Sequence, residues 1–96
     1  MAKRRSNLPA LRLRLYIAGN APNSMRALTN VRAICEEHYA ANHELEIVDV
    51  LEWPLRGLED GVIVTPTLLR VHPQPIQRLI GNLSDLPQVL LTLASK

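Results

Sequence analysis

Leu11-Arg12-Leu13-Arg14-Leu15-Tyr16-Ile17-Ala18, followed by Gly19-Asn20-Ala21-Pro22-Asn23-Ser24, sets the architecture of the chain. Its first eight residues alternate in polarity, the period-2 pattern of a strand carrying Leu11, Leu13, Leu15 and Ile17 on one face. The next six are turn formers and end that strand. Asn23 or Ser24 is the expected N-cap, because either side chain accepts a hydrogen bond from a free amide of the first helical turn. From Ser24 to about Tyr39 the period becomes helical, with Ala27, Leu28, Val31, Ile34, Cys35 and Tyr39 on one apolar face. Glu44-Leu45-Glu46-Ile47-Val48-Asp49-Val50-Leu51 then reads as a second strand. A strand, a helix of about four turns and a strand make a βαβ unit, whose two strands run parallel through a right-handed crossover.

Beyond this unit the pattern is less decisive. Trp53-Pro54 breaks the strand, and Leu55 to Asp60 suits a short helix or a loop. Gly61 to Thr65 reads as a strand up to Pro66, which lacks a ladder donor, and strand character resumes from Thr67 to Val71. The Thr65-Pro66-Thr67 interruption implies a kink. His72-Pro73-Gln74-Pro75 is a rigid connection into Ile76–Ile80, which can pair antiparallel with the preceding strand. Gly81-Asn82 turns out of it, Ser84 is the expected N-cap, and Leu86, Val89, Leu90 and Leu93 form a helical stripe. Val89 to Leu93 is equally β-compatible, so this half is locally ambiguous. The whole order, β-α-β-short α-β-β-α, predicts an α/β single domain of thioredoxin-like layout over residues 11–96.

Ninety-six residues, 47% hydrophobic and 21% charged, suit one globular domain and argue against disorder. The net charge of +2 rests on Lys3, Arg4 and Arg5 in a basic segment, 1–10, expected to be flexible; without them the balance is −1. With only three aromatic residues as well, no basic body with stacking platforms is in view, which speaks against a nucleic-acid partner. No run approaches the roughly 18 apolar residues of a membrane span, and the polar break at Ser6-Asn7 leaves no signal-peptide core. The expectation is a soluble, cytoplasmic chain without a membrane partner.

Candidate chemistry narrows quickly. Cys35 is the one cysteine, so a CxxC pair and a cysteine zinc cluster within one chain are excluded. A thioredoxin-type nucleophile belongs at the loop-to-helix junction, which here reads Ala21-Pro22-Asn23-Ser24; Cys35 falls three turns later on the apolar stripe, as a buried, inert thiol. His38 and His43 lie near Glu36, Glu37 and Glu44, but lack the spacing of a helical zinc pair and read as a solvated helix end. Four scattered glycines offer no phosphate loop. No cofactor, metal or catalytic group is expected. Arg26, Arg70 and Arg78 remain as candidate anchors, since the guanidinium fork binds carboxylates bidentately.

Leu15-Tyr16-Ile17-Ala18-Gly19-Asn20-Ala21-Pro22-Asn23-Ser24-Met25-Arg26-Ala27-Leu28 resembles the KaiB family of circadian-clock proteins. Residues 46–51, Thr65-Pro66-Thr67-Leu68 and the run from Pro73 to Ser84 agree with the same family, and the resemblance covers about residues 11–93. It implies a non-enzymatic regulator that binds KaiC, a hexameric RecA-like ATPase and autokinase, and that engages KaiA where that protein is present. It also implies a thioredoxin-like form with a cis bond before the proline matching Pro66, and an alternative, tetramer-forming ground-state fold that differs in the C-terminal half. The thioredoxin-like form is the one expected here, with a homo-oligomer, dimer or tetramer, as a further partner. On this footing Arg26, Arg70, Arg78, Asn20 and Asn23 are the candidate partner-binding residues, and Pro66 is the structural one. The sequence departs from the pattern at Glu46 and Gly61, where clock-type relatives commonly carry lysine; a Lys-to-Glu change reverses charge at an interface. KaiB-like paralogues are associated with stress responses as well as timing. The alternatives are a redox protein on the same scaffold and a sensory or structural module that only oligomerises.

Overall fold

The computed structural model describes residues 9–95. The basic segment expected at Lys3, Arg4 and Arg5 lies outside the described residues. Seven elements follow in order: β1 (Leu11–Ile17), α1 (Pro22–His38), β2 (His43–Asp49), α2 (Pro54–Glu59), β3 (Thr67–His72), β4 (Gln77–Ile80) and α3 (Leu86–Ala94). They form one four-stranded sheet in the order β2-β1-β3-β4. β1 and β2 are parallel, as the βαβ pattern requires, with Arg14 opposite Glu46 and Ile17 opposite Asp49. β3 runs antiparallel to both β1 and β4, with Leu15 opposite Leu68 and Leu69 opposite Arg78.

The alternation of β1 divides the core in two. Leu11, Leu13, Leu15 and Ile17 pack with Ala27, Val31, Ile34 and Cys35 of α1, Leu68 of β3, and Val89 and Leu93 of α3. Tyr16, Val48 and Leu69 form a smaller cluster on the opposite face, with Val50, Val62 and Val71 beside them. α2 lies against this second face by close approach at Gly57, its one buried residue, where a Cβ would stand 3.3 Å from Val50 Cγ1.

Several boundaries differ from the predicted ones, each for a hydrogen-bonding reason. α1 begins at Pro22 behind Ala21, with no side-chain cap. Ser24 is buried in the first turn instead, and its Oγ accepts from the Ala18 amide at 3.1 Å. β2 stops at Asp49 rather than Leu51, because the Asp49 carboxylate accepts from Gly19 N and Leu51 N while its carbonyl accepts from Glu52 N and Trp53 N. Leu55 to Asp60 resolves to helix through Glu59, and Gly61 to Thr65 is not a strand. The Val62 amide donates to Gly57 O at 2.8 Å, and Gly61 adopts φ +70°, so this segment closes α2 rather than joining the sheet. The ambiguous run Val89 to Leu93 is helical, and Asp85 rather than Ser84 caps it, accepting from Gln88 N at 3.3 Å. The Thr65–Pro66 bond is cis, as are those before Pro73 and Pro75.

Candidate functional site

The turn that ends β1 gathers three of the residues singled out from the sequence. Gly19, at φ +54°, lets the chain reverse in the left-handed region, and Asn20, Asn23 and Arg26 emerge exposed from the turn and the first helical turn. Arg26 Nη1 donates to Asn23 Oδ1 at 3.2 Å, a spacing of three residues that places both on one side of α1. These side chains form a polar, cationic corner whose guanidinium remains open to solvent.

Arg70 does not join them. The expectation of a surface anchor is corrected: Arg70 is 1% exposed and lies on the α3 side of the sheet, opposite in facing to Leu69. Its Nη1 donates to Thr92 O, Leu93 O and Ser95 O at 3.2, 3.0 and 2.6 Å, and its Nη2 to Pro75 O at 2.8 Å. In this form the side chain is spent on the protein's own backbone. Arg78 stays exposed on the opposite face, donating to Asp60 O at 3.0 Å and Gly61 O at 3.4 Å, and so completes the carboxyl end of α2.

The second face carries an ionic network that the sequence reading did not assemble. Arg12 pairs with Glu44 at 2.7 Å and Arg14 with Glu46 at 2.9 Å across the parallel strands. Arg56 of α2 reaches the same Glu46 at 2.6 Å, and Arg14 also holds Asp60 at 2.8 Å. The Tyr16 hydroxyl donates to Asp60 Oδ2. Hydrogen bonds from Arg56 above all, with Arg14 adding to them against opposing burial, lower the Glu46 carboxyl to about 2. Burial disfavours ionised Asp60, yet its bonds to Tyr16 and Arg14 outweigh that and hold it below its ordinary range. Burial first, and the bond to Asp60 second, push the Tyr16 phenol up to about 12. The signal was present in the alternation itself, which puts Arg12, Arg14 and Tyr16 on the face away from α1. What was missing was the position of α2. Glu46 is thus paired inside the chain by two arginines.

Beside the network, residues 51–64 turn large apolar groups outward. Leu51, Trp53, Leu55, Leu58 and Val64 are exposed, and Ile63 is 94% exposed. So contiguous a set along one segment is the ordinary mark of a contact surface. The groups weighed for chemistry sit elsewhere. Cys35 is fully buried, and burial raises its thiol to about 11. His43 Nδ1 lies 2.8 Å from Tyr39 O at the end of α1, and His38 is 3.8 Å from Glu37. Among the described residues no three His, Cys, Asp or Glu side chains converge as metal ligands, and no helix is long and apolar enough to cross a membrane.

Comparison with known proteins agrees with this arrangement at two levels. In shape, the chain is similar to the N-terminal domain of Synechococcus elongatus SasA, with a TM-score of 0.66 at 25% identity, covering 100% of this chain and 96% of that one. It is also similar to the thioredoxin Deadhead of Drosophila melanogaster, with a TM-score of 0.72 at 14% identity over 90% and 83% of the two chains. The second likeness shows a thioredoxin-like fold. In sequence, it is 47% identical over 81 residues to a circadian clock oscillator protein KaiB of Prochlorococcus marinus, covering 84% of this chain and 77% of the relative. The same identity and length relate it to the circadian clock protein KaiB3 of a Synechocystis species, of which 79% is covered. The KaiB domain model matches residues 14–94, from the network arginine of β1 to the last residue of α3. The chain belongs to the KaiB family.

Proposed function

We propose that the chain is a non-enzymatic regulator that docks on a KaiC-type RecA-like ATPase and autokinase in the cytoplasm and modulates its phosphorylation or ATPase cycle. One observation carries the reading: residues 51–64 present exposed apolar side chains next to Arg78, while Arg14, Glu46, Arg56 and Asp60 beside them are paired within the chain. Binding there has apolar surface to bury and few ion pairs to dismantle. Arg26 with Asn20 and Asn23 supplies a second, polar contact, where a carboxylate of the partner meets the open guanidinium. Arg70 has no part in the contact in this form, being enclosed.

The test is binding to the cognate KaiC-type ATPase measured with ATP and with ADP. Arg26→Ala and Leu58→Asp are expected to weaken association while leaving the melting temperature of the free protein unchanged. No association in either nucleotide state removes the reading. The redox alternative is separated in the same experiment by Cys35→Ser, which is expected to bind and regulate as the parent does, because the thiol is enclosed by α1 and the sheet.

A further inference from the structure

α3 is a nine-residue helix, below the length at which a helix holds itself together in water. Val89 and Leu93 are the residues it buries, and its last turn contains no basic side chain to satisfy the free carbonyls there. That cation comes from β3. Among the described residues, every hydrogen bond from another element to α3 or to Ser95 behind it is donated by Arg70. The same guanidinium holds Pro75 O in the β3–β4 connection, so one side chain ties the end of α3 to the hairpin. Its charge sits at the negative end of the helix, the favourable end for a cation.

The satisfaction is incomplete. Arg70 Nε is buried without an acceptor among the described residues. A buried donor left unmade keeps its desolvation cost, which returns when water reaches it. The docked state of α3 therefore gains from three carbonyl bonds at its end and loses from one orphan donor on the same group. β3, by contrast, is laddered on both sides by β1 and β4.

We propose that Arg70 is a latch: α3 opens from the sheet and closes again as a unit, governed by whether this guanidinium engages the last turn, while β1–β4 stay paired. Opening hydrates Arg70 and uncovers the part of the larger core beneath Val89 and Leu93. Lysine is a poor substitute, because a single ammonium cannot bridge the turn at Thr92–Ser95 and Pro75 O together.

Amide hydrogen exchange of the full chain at several low denaturant concentrations tests this. In the parent protein, amides of residues 90–94 are expected to exchange faster than those of β1 and β3, through an opening whose denaturant dependence is measurable but smaller than that of the opening that exposes β1 and β3. Arg70→Lys should speed exchange in α3 on the order of ten- to a hundredfold, and that in β1 and β3 much less. Three results overturn the proposal: α3 and β1 sharing one denaturant-dependent opening, Arg70→Lys leaving α3 exchange unchanged, or the variant accelerating every element alike. The parent profile decides by itself whether α3 is a separate unit, so the test stands even where the variant does not accumulate in folded form.

Discussion

Arg14 Nη1 donates to Asp60 Oδ2 at 2.8 Å, joining the second face of β1 to the residue that ends α2, 46 positions later in the chain. Because Arg14 also holds Glu46, and Glu46 holds Arg56, α2 is fastened to the sheet by a chain of alternating charges rather than by a deep apolar seat. Partly exposed pairs are individually weak, so the expected effects are those of a network read through pH and charge reversal.

The carboxyls of Glu46 and Asp60 titrate below their ordinary values of 4.5 and 3.8 in the folded protein. Their stabilisation is complete above those ordinary values and is lost as pH falls through the folded ones, toward 2 for Glu46. Tyr16 has the opposite sign: raised from 10.0 to about 12, it contributes stability that is present below 10 and lost as pH climbs toward 12. The melting temperature should fall at both extremes. Tyr16→Phe should flatten the alkaline limb, and Asp60→Asn should reduce the acid one, as followed by circular dichroism from pH 2 to 12.

Glu46→Lys puts a third basic side chain between Arg14 and Arg56. In this chain it should lower the melting temperature, most at low ionic strength, where like charges are least screened. The double change Glu46→Lys with Arg56→Glu should recover much of the loss. Additive effects in that cycle would show that Arg56 and Glu46 are not coupled.

Cys35 should resist modification while the protein is folded. A thiol raised to about 11 holds little thiolate at neutral pH, so alkylation should run on the order of a hundredfold slower than in the urea-unfolded chain. Reaction at equal rates in the two states would place the thiol at the surface.

Leu83 combines burial with a left-handed backbone, at 6% exposure and φ +64°. Leu83→Ala removes the packing and retains the backbone cost, whereas Leu83→Gly removes both. Glycine should therefore be the better tolerated of the two, by about 1 kcal/mol, in urea unfolding. In an ordinary helix or strand the order is the reverse.

The N-terminal half was legible because period and turn chemistry agree there. Alternation from Leu11 to Ile17, the turn at 19–24 and the helical stripe from Ala27 to Tyr39 all describe one βαβ unit. The segment 61–65 misled because Val62, Ile63 and Val64 have strand character locally, while the Val62 amide is claimed by Gly57 O across the end of α2. Arg70 and Arg78 looked equivalent in the sequence. Only the pairing of Leu69 with Arg78 sends one of them inward and the other outward. The ionic network was hidden for a related reason: Arg56 belongs to, and Asp60 caps, a helix whose seat on the sheet depends on Gly57.

The β3–β4 hairpin carries one arginine to each side of the sheet, Arg70 to the carboxyl end of α3 and Arg78 to that of α2. A slip of either strand by a single residue would exchange its inward and outward side chains: in β4 it would turn Arg78 toward the larger core and uncap α2, and in β3 it would pull Arg70 away from α3 and uncap that helix. The alignment of this hairpin is thereby checked from above and below, each strand by the helix its own arginine completes.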